Sequence, residues 1–186
     1  TARGRRLQAP EGQSTRPIID RAKEGIFNML VSRMELVDAT VLDLYAGSGS
    51  FGLECLSRGA RKVTFVEMSR SASAVIAANL ATLGFTERAS IVTSPVLAAL
   101  SGRLGADEVD LAFCDPPYVD DPWSELLPLI HSHVLVGHAS TDVVLTAQWQ
   151  EVKRRNYGRA HVVVARRLDG GADTGMLGAV NGVELQ

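Results

Sequence analysis

Three stretches of this 186-residue chain hold side chains that can act together chemically. The first, VLDLYAGSGSFG at residues 41–52, sets Gly47, Gly49 and Gly52 in G-x-G-x-x-G spacing just behind Asp43. The second is Glu67, where a dinucleotide-binding sheet carries its ribose-binding acid, about twenty residues past the glycines. The third is Asp115-Pro116-Pro117-Tyr118, which follows the apolar run VDLAFC.

The glycine spacing alone reads as a pyrophosphate cradle. Asp43 argues against that ligand, because a carboxylate a few ångströms from a pyrophosphate repels it by roughly 1–4 kcal/mol. The same carboxylate attracts a sulfonium or an ammonium. Both belong to S-adenosylmethionine, which carries no phosphate. The glycines then let the backbone approach the cofactor closely, and Glu67 can bind both ribose hydroxyls. Ala46, Gly47, Ser48, Gly49, Glu67, Met68 and Ser94 join Asp43 and Asp115 as candidate cofactor contacts.

The Asp-Pro-Pro-Tyr turn supplies acceptors. Two prolines stiffen the turn and remove two N–H donors, which leaves carbonyl oxygens free. An amine there can donate to the Asp115 carboxylate and to the Pro116 carbonyl. Tyr118 offers a ring for a flat base, worth roughly 1–3 kcal/mol of stacking. Asp115, Pro116, Pro117 and Tyr118 are therefore the candidate catalytic residues. An exocyclic base amine is a poor nucleophile, and two acceptors holding its hydrogens aim its lone pair at a methyl carbon. Catalysis of this kind is mainly positioning, and the base must be splayed out of its stack.

Alternating elements must place these residues. Strands are expected at 40–45, 62–67, 89–93, 109–114 and 142–146, with helices from Phe51 to Arg58, from Ser69 to near Gly84, and around 96–103 and 122–135. That alternation predicts an α/β fold with a mostly parallel sheet and helices on both faces. Pro17 suits the first turn of a helix to about Val31, with Ile18, Ala22, Ile26, Phe27 and Leu30 as its apolar stripe. A short strand at Gly4–Ala9 precedes it, and residues 149–157 and 159–168 read as an antiparallel hairpin about Gly158. Residues 1–35 form a small N-terminal extension, 36–168 the main domain and 169–186 a Gly- and Ala-rich tail.

With 46% apolar residues and a formal charge of -2, the chain has the composition of one globular domain. No apolar run reaches the ~18 residues that span a bilayer and no signal peptide is recognisable, so a soluble, cytoplasmic protein is expected. Cys55 and Cys114 read as buried, reduced thiols. No metal spacing is present. His131, His133, His138 and His161 read as surface or loop residues, and Trp123 as core or as a lid over the Pro-Pro turn. The near-neutral total hides two basic ends, one with Arg3, Arg5, Arg6, Arg16, Arg21 and Lys23, the other with Lys153, Arg154, Arg155, Arg159, Arg166 and Arg167. Together they make a potential phosphate-binding face.

From residue 3 to about 168, RGRRLQAP, TRPIIDRAKEGIFNML, VLDLYAGSGSFGLECLSRGA, VEMSRSASAVIAANL and DPPY give the chain a resemblance to the bacterial RsmD-type enzymes. These are class I S-adenosylmethionine-dependent methyltransferases. The resemblance implies a Rossmann-like, seven-stranded sheet and methylation of a guanine at N2 in RNA of the small ribosomal subunit. It implies a monomer that uses S-adenosylmethionine and no metal, with Arg3, Arg5, Arg6, Arg16 and Arg21 on the RNA backbone. Arg21 and Asn28 would close the methionine end of the pocket. Three departures stand out. Thr93-Ser94-Pro95 follows the third strand where many methyltransferases place an acid, and Thr146 stands where the family has Glu at the end of the fifth strand. Only Ala147 and Gln148 then precede Trp149, too few for a parallel crossover, so either a shortened or a missing loop is expected there. A DNA adenine methyltransferase, an NAD-dependent oxidoreductase and a non-catalytic RNA-binding module are the alternatives.

Overall fold

A computed structural model of the chain describes residues 17–117 and 121–168. Helix α1 (Pro17–Val31) leads into the alternating series β1 (Thr40–Leu44), α2 (Ser50–Ser57), β2 (Lys62–Val66), α3 (Arg70–Leu83), β3 (Ala89–Val92), α4 (Val96–Ser101) and β4 (Val109–Cys114). A short α5 (Trp123–Leu126), β5 (Ser132–Ala139) and the hairpin of β6 (Trp149–Tyr157) and β7 (Ala160–Arg167) complete it. The N-terminal strand expected at 4–9, residues Arg3, Arg5, Arg6 and Arg16, Tyr118 and the tail lie outside the described residues. Among the described residues no helix is long and apolar enough to cross a membrane.

One sheet holds all seven strands in the order β3-β2-β1-β4-β5-β7-β6. The strands β1 to β5 pair in parallel, while β7 runs antiparallel to both β5 and β6. The chain moves outward from β1 to β3 and then returns to the other side of β1 as β4. That reversal puts a crevice beyond the carboxyl ends of β1 and β4, the usual ligand position in such sheets.

Strand residues alternate between the two faces, and each face has its own core. Val41, Val63, Phe65, Leu111, Phe113, Val136 and Val162 pack with α1, α2 and α3. Leu42, Leu44, Val66, Ala112, Cys114, Leu135 and Val163 pack with α4 and α5. Local signals set the helix ends. The Ser69 hydroxyl accepts from Ala72 N–H to start α3, and Gly84, at φ 72°, ends it.

The expected fifth strand at 142–146 is corrected to Ser132–Ala139, which also shortens the helix expected over 122–135. Residues 140–148 are the crossover from β5 to the outer strand β6, and the shortage of residues before Trp149 disappears with the reassignment. Asp142-Val-Val-Leu-Thr146 has β-forming residues but no place in the sheet, because β7 occupies the edge of β5. Val143 tucks inward while Val144 stays 81% exposed. Thr146 is therefore not at the end of the fifth strand, and the position compared with the family's Glu lies elsewhere.

An aromatic column ties α1 to the sheet. Phe51 of α2 stacks on Phe113 of β4, with centroids 3.9 Å apart, and on Phe27 of α1 at 4.9 Å. The Arg58 guanidinium covers the outer face of Phe27 at 4.5 Å. Replacing the middle ring, Phe51→Ala, leaves both neighbours facing a cavity and is expected to lower stability by about 3–5 kcal/mol. Urea unfolding checks it against Phe85→Ala, a half-buried ring outside the column, which should lose less.

Candidate active site

The site begins where β1 stops. Tyr45 leaves the strand at φ 58°, and Gly47 and Gly49 follow at φ 55° and 75°. This left-handed backbone is strained for a side chain, so the turn needs glycine at most of its corners. The turn is fixed by Ala46 N–H donating to Val66 O at 3.0 Å and Gly49 N–H donating to Ala46 O at 2.7 Å. The three glycines of the motif then differ in role. A Cβ at Gly47 would meet no protein atom within 4 Å, so this corner faces open space at the mouth. A Cβ at Gly52 would lie 2.7 Å from Val63 Cγ1, and its absence lets α2 sit down on β2.

Asp43 is buried, and its Oδ2 accepts from Gly52 N–H at 2.9 Å. Gly52 is the third residue of α2, whose N-cap Gly49 has no side chain to offer. A carboxylate from the preceding strand therefore caps the helix, a task the sequence pattern did not reveal. Burial pushes the Asp43 carboxyl up to about 8; the Gly52 hydrogen bond opposes the rise, and the charges of Asp115 and Glu67 add to it. The three carboxylates thus share one electrostatic neighbourhood.

Glu67, just past β2, is held at both oxygens. Oε2 accepts from Gly47 N–H at 2.8 Å and Oε1 from Ser69 N–H at 2.7 Å, so one side chain bridges the glycine turn and the start of α3. A carboxylate has about four lone-pair directions, which leaves acceptor capacity toward the mouth. Met68 beside it is 69% exposed, an apolar side chain with no core to enter. Past β3, Ser94 N–H donates to Glu67 O at 3.2 Å and its hydroxyl to Pro95 O at 3.2 Å. Ala46 and Ser48 are half-buried in the turn itself.

Asp115 stands just past β4, beside β1, where its N–H donates to Leu44 O at 3.4 Å. Its side chain is 39% exposed, and Oδ1 meets His138 Nδ1 at 2.7 Å. Pro116 is buried and Pro117 exposed. His138 corrects the reading of the four histidines as surface or loop residues: it is a buried member of the central strand β5. With β5 at Ser132–Ala139 rather than at 142–146, His138 falls inside the sheet. Trp123 is core, its ring packed where Gly137 has no side chain.

The remaining candidates spread out. Arg21 lies in α1 and Asn28 is an exposed residue of the same helix. The C-terminal basic cluster is partly spoken for. Arg154 pairs with Asp142 at 3.2 Å and Glu151 at 2.9 Å, Arg166 donates to Gln150, and Arg167 donates to Ile130 O. Among the described residues no three His, Cys, Asp or Glu side chains cluster as a metal site.

The strand order, reversing beside β1 and ending in an antiparallel pair, is that of the class I methyltransferase fold. Among solved structures, "Putative methyltransferase yhhF from Escherichia coli" is similar to it, with a TM-score of 0.77 and 31% identity over 89% of this chain and 93% of that one. The family model described as Conserved hypothetical protein 95 matches residues 1–166, and the chain belongs to that family, to which the RsmD-type resemblance had pointed. Its relatives include "Ribosomal RNA small subunit methyltransferase D" of Escherichia coli (strain K12), 40% identical over 116 residues, or 62% of this chain and 56% of the relative. "Putative rRNA methyltransferase YlbH" of Bacillus subtilis (strain 168) is 36% identical over 135 residues, 72% of each chain. The chain thus spans little more than half of the Escherichia coli relative.

The buried acid predicts a pH dependence. Folded Asp43 holds its proton to about pH 8, whereas the unfolded carboxyl releases it near 3.8. Between these values the native state binds more protons, so this contribution to stability is complete below the lower value and is lost as pH rises through the upper one. Asp43→Asn keeps an oxygen for Gly52 N–H and cannot titrate. Urea-unfolding free energies across this range should fall less steeply with pH in the variant than in the parent chain; equal slopes would contradict the assignment.

Proposed function

We propose that this chain transfers the methyl group of S-adenosylmethionine to the exocyclic N2 amine of a guanine in small-subunit ribosomal RNA. The observation that carries the reading is that Glu67 and Asp115 stand past the two strands that flank β1, on either side of its glycine turn, and that both charges reach the buried Asp43. Two carboxylates flanking the turn, with a third acid buried behind it, favour a cationic ligand and oppose a pyrophosphate. Membership of the family and the names of its relatives point the same way.

The residues present fit this cofactor. Gly47 faces open space, Glu67 keeps spare acceptor capacity for two ribose hydroxyls, and Met68 offers an apolar surface for a flat ring. Ser48 and Gly49 complete the turn beside it, and the Ser94 hydroxyl is the polar group at the adenine end. S-adenosylmethionine supplies, when bound, an electrophilic methyl on a sulfonium that becomes a neutral thioether on transfer.

The chain's own residues prepare the amine. The free edge of the Asp115 carboxylate and the Pro116 carbonyl accept its two hydrogens, and Pro117 keeps competing N–H donors out of the turn. Held this way, the nitrogen loses overlap with the ring and its lone pair turns outward. The proton released after transfer passes to Asp115 or to water. Tyr118 stacks on the flipped base, and Arg3, Arg5, Arg6, Arg16 and Arg21 take the RNA backbone. The protein works as a cytoplasmic monomer.

Asp115→Ala is expected to lower turnover by about 10²–10⁴-fold while S-adenosylhomocysteine still binds in calorimetric titration. Retained turnover would remove Asp115 from the chemistry. Labelled S-adenosylmethionine offered with small subunits, naked ribosomal RNA or DNA decides the substrate; labelling of DNA alone would overturn the reading. Gly47→Ala adds a methyl that meets no protein atom and should destabilise the fold by only about 1–2 kcal/mol through its left-handed backbone. Its affinity for S-adenosylhomocysteine should fall by more than this. Affinity unchanged from the parent chain would move the cofactor elsewhere.

A further inference from the structure

We infer that His138 is a positioning residue for Asp115, setting which carboxylate oxygen meets the substrate amine. The inference rests on the function proposed above and adds a residue of β5 to the reacting constellation.

The need for such a residue is written into the turn. An aspartate that opens a turn ordinarily steadies its own carboxylate by accepting from the backbone N–H two residues on. Here that residue is Pro117, which has no N–H, and Pro116 has none either. Asp115 therefore cannot hold itself. The other two acids of the mouth are held by backbone donors, Asp43 by Gly52 and Glu67 by Gly47 and Ser69. Asp115 instead takes the Nδ1 of His138 at 2.7 Å.

The sheet makes the pairing unavoidable. Cys114 of β4 is in register with Gly137 of β5, so the next residue of each strand arrives at the same level. Alternation turns His138 to the face that carries Val136 and Phe113. A carboxylate has only lone pairs to offer, so Nδ1 carries the shared hydrogen and the ring is fixed as that tautomer. The imidazole is 7% exposed and the carboxylate 39%. The buried partner thus holds Oδ1 from below and leaves the rest of the carboxylate facing the mouth. His138 touches neither base nor methyl donor; it acts through Asp115.

The test uses the full chain and three variants. In His138→Asn the amide nitrogen takes the place of Nδ1; in His138→Gln it reaches the place of Nε2; His138→Leu offers no donor. Misplacing a reacting group by about 1 Å can lower a rate roughly 10²-fold, so His138→Leu is expected to lose about that factor in kcat. S-adenosylhomocysteine affinity and RNA KM should stay within a few-fold of the parent. His138→Asn should recover most of kcat and His138→Gln little. Leu and Asn variants with equal kcat, or a Leu variant as fast as the parent, would overturn the inference. Nitrogen-15 NMR of the parent chain gives a readout free of activity: the His138 signal must show hydrogen on Nδ1. A resonance with Nδ1 bare overturns the inference even if His138→Leu does not fold. A parent chain that methylates no RNA sinks the proposed function instead, while the nitrogen spectrum still judges the pairing.

Discussion

The hydrogen bond from Gly52 N–H to Asp43 holds the mouth together. It joins the last turn of β1 to the first turn of α2 across a loop in which left-handed residues give no regular pairing. Gly49 cannot cap the helix with a side chain, and a buried helix start with orphan N–H groups is costly. Asp43 supplies the missing acceptor, and below about pH 8 it does so as a neutral carboxyl. Glu67 then locks onto the turn's own Gly47 N–H and onto Ser69 N–H at the start of α3.

Three carboxylates converge on one crevice, and each is steadied differently. Asp43 is sunk in the core and caps a helix. Glu67 bridges two loops with both oxygens. Asp115 stands partly in solvent on a turn stripped of donors, with an imidazole from the next strand behind it. Asp43 is buried, whereas Glu67 and Asp115 are both partly exposed. Under the proposed function this becomes a division of labour: the inner acid shapes the loop, Glu67 takes the cofactor's sugar and Asp115 meets the substrate.

Much of this was legible in the residues. Val109–Cys114 is strand as the apolar run implies, and α3 begins and ends at Ser69 and Gly84 as their capping chemistry requires. The glycine spacing gave the turn, since Gly47 and Gly52 are each needed for a reason visible in the fold. The fifth strand was not legible. SHVLVGHA contains a glycine and two histidines and follows LLPLIH with no glycine, asparagine or aspartate turn between, so it reads as a continued helix, whereas DVVLT has the better β composition. Position decided against composition: a central strand needs residues that fit between β4 and β7, and Gly137 fits because Trp123 fills its place. His138 was lost with the strand. The clue that could have found it was the missing N–H at Pro117, which demands a donor from elsewhere. The capping role of Asp43 was hidden for a related reason, since it depends on a contact nine residues along the chain.

Both cysteines lie near these acids and neither competes with them. Cys114 precedes Asp115 but faces the opposite core, packed with Leu44 and Ala112. Cys55 sits inside α2 on the near side. Burial pushes each thiol well up, and the charge of Asp43 adds to both. Sulfur attacks alkylating centres as thiolate, and in this setting it stays a thiol. Under the proposed function, a bound methyl donor thus meets no reactive thiol of its own host, because burial keeps both sulfurs protonated.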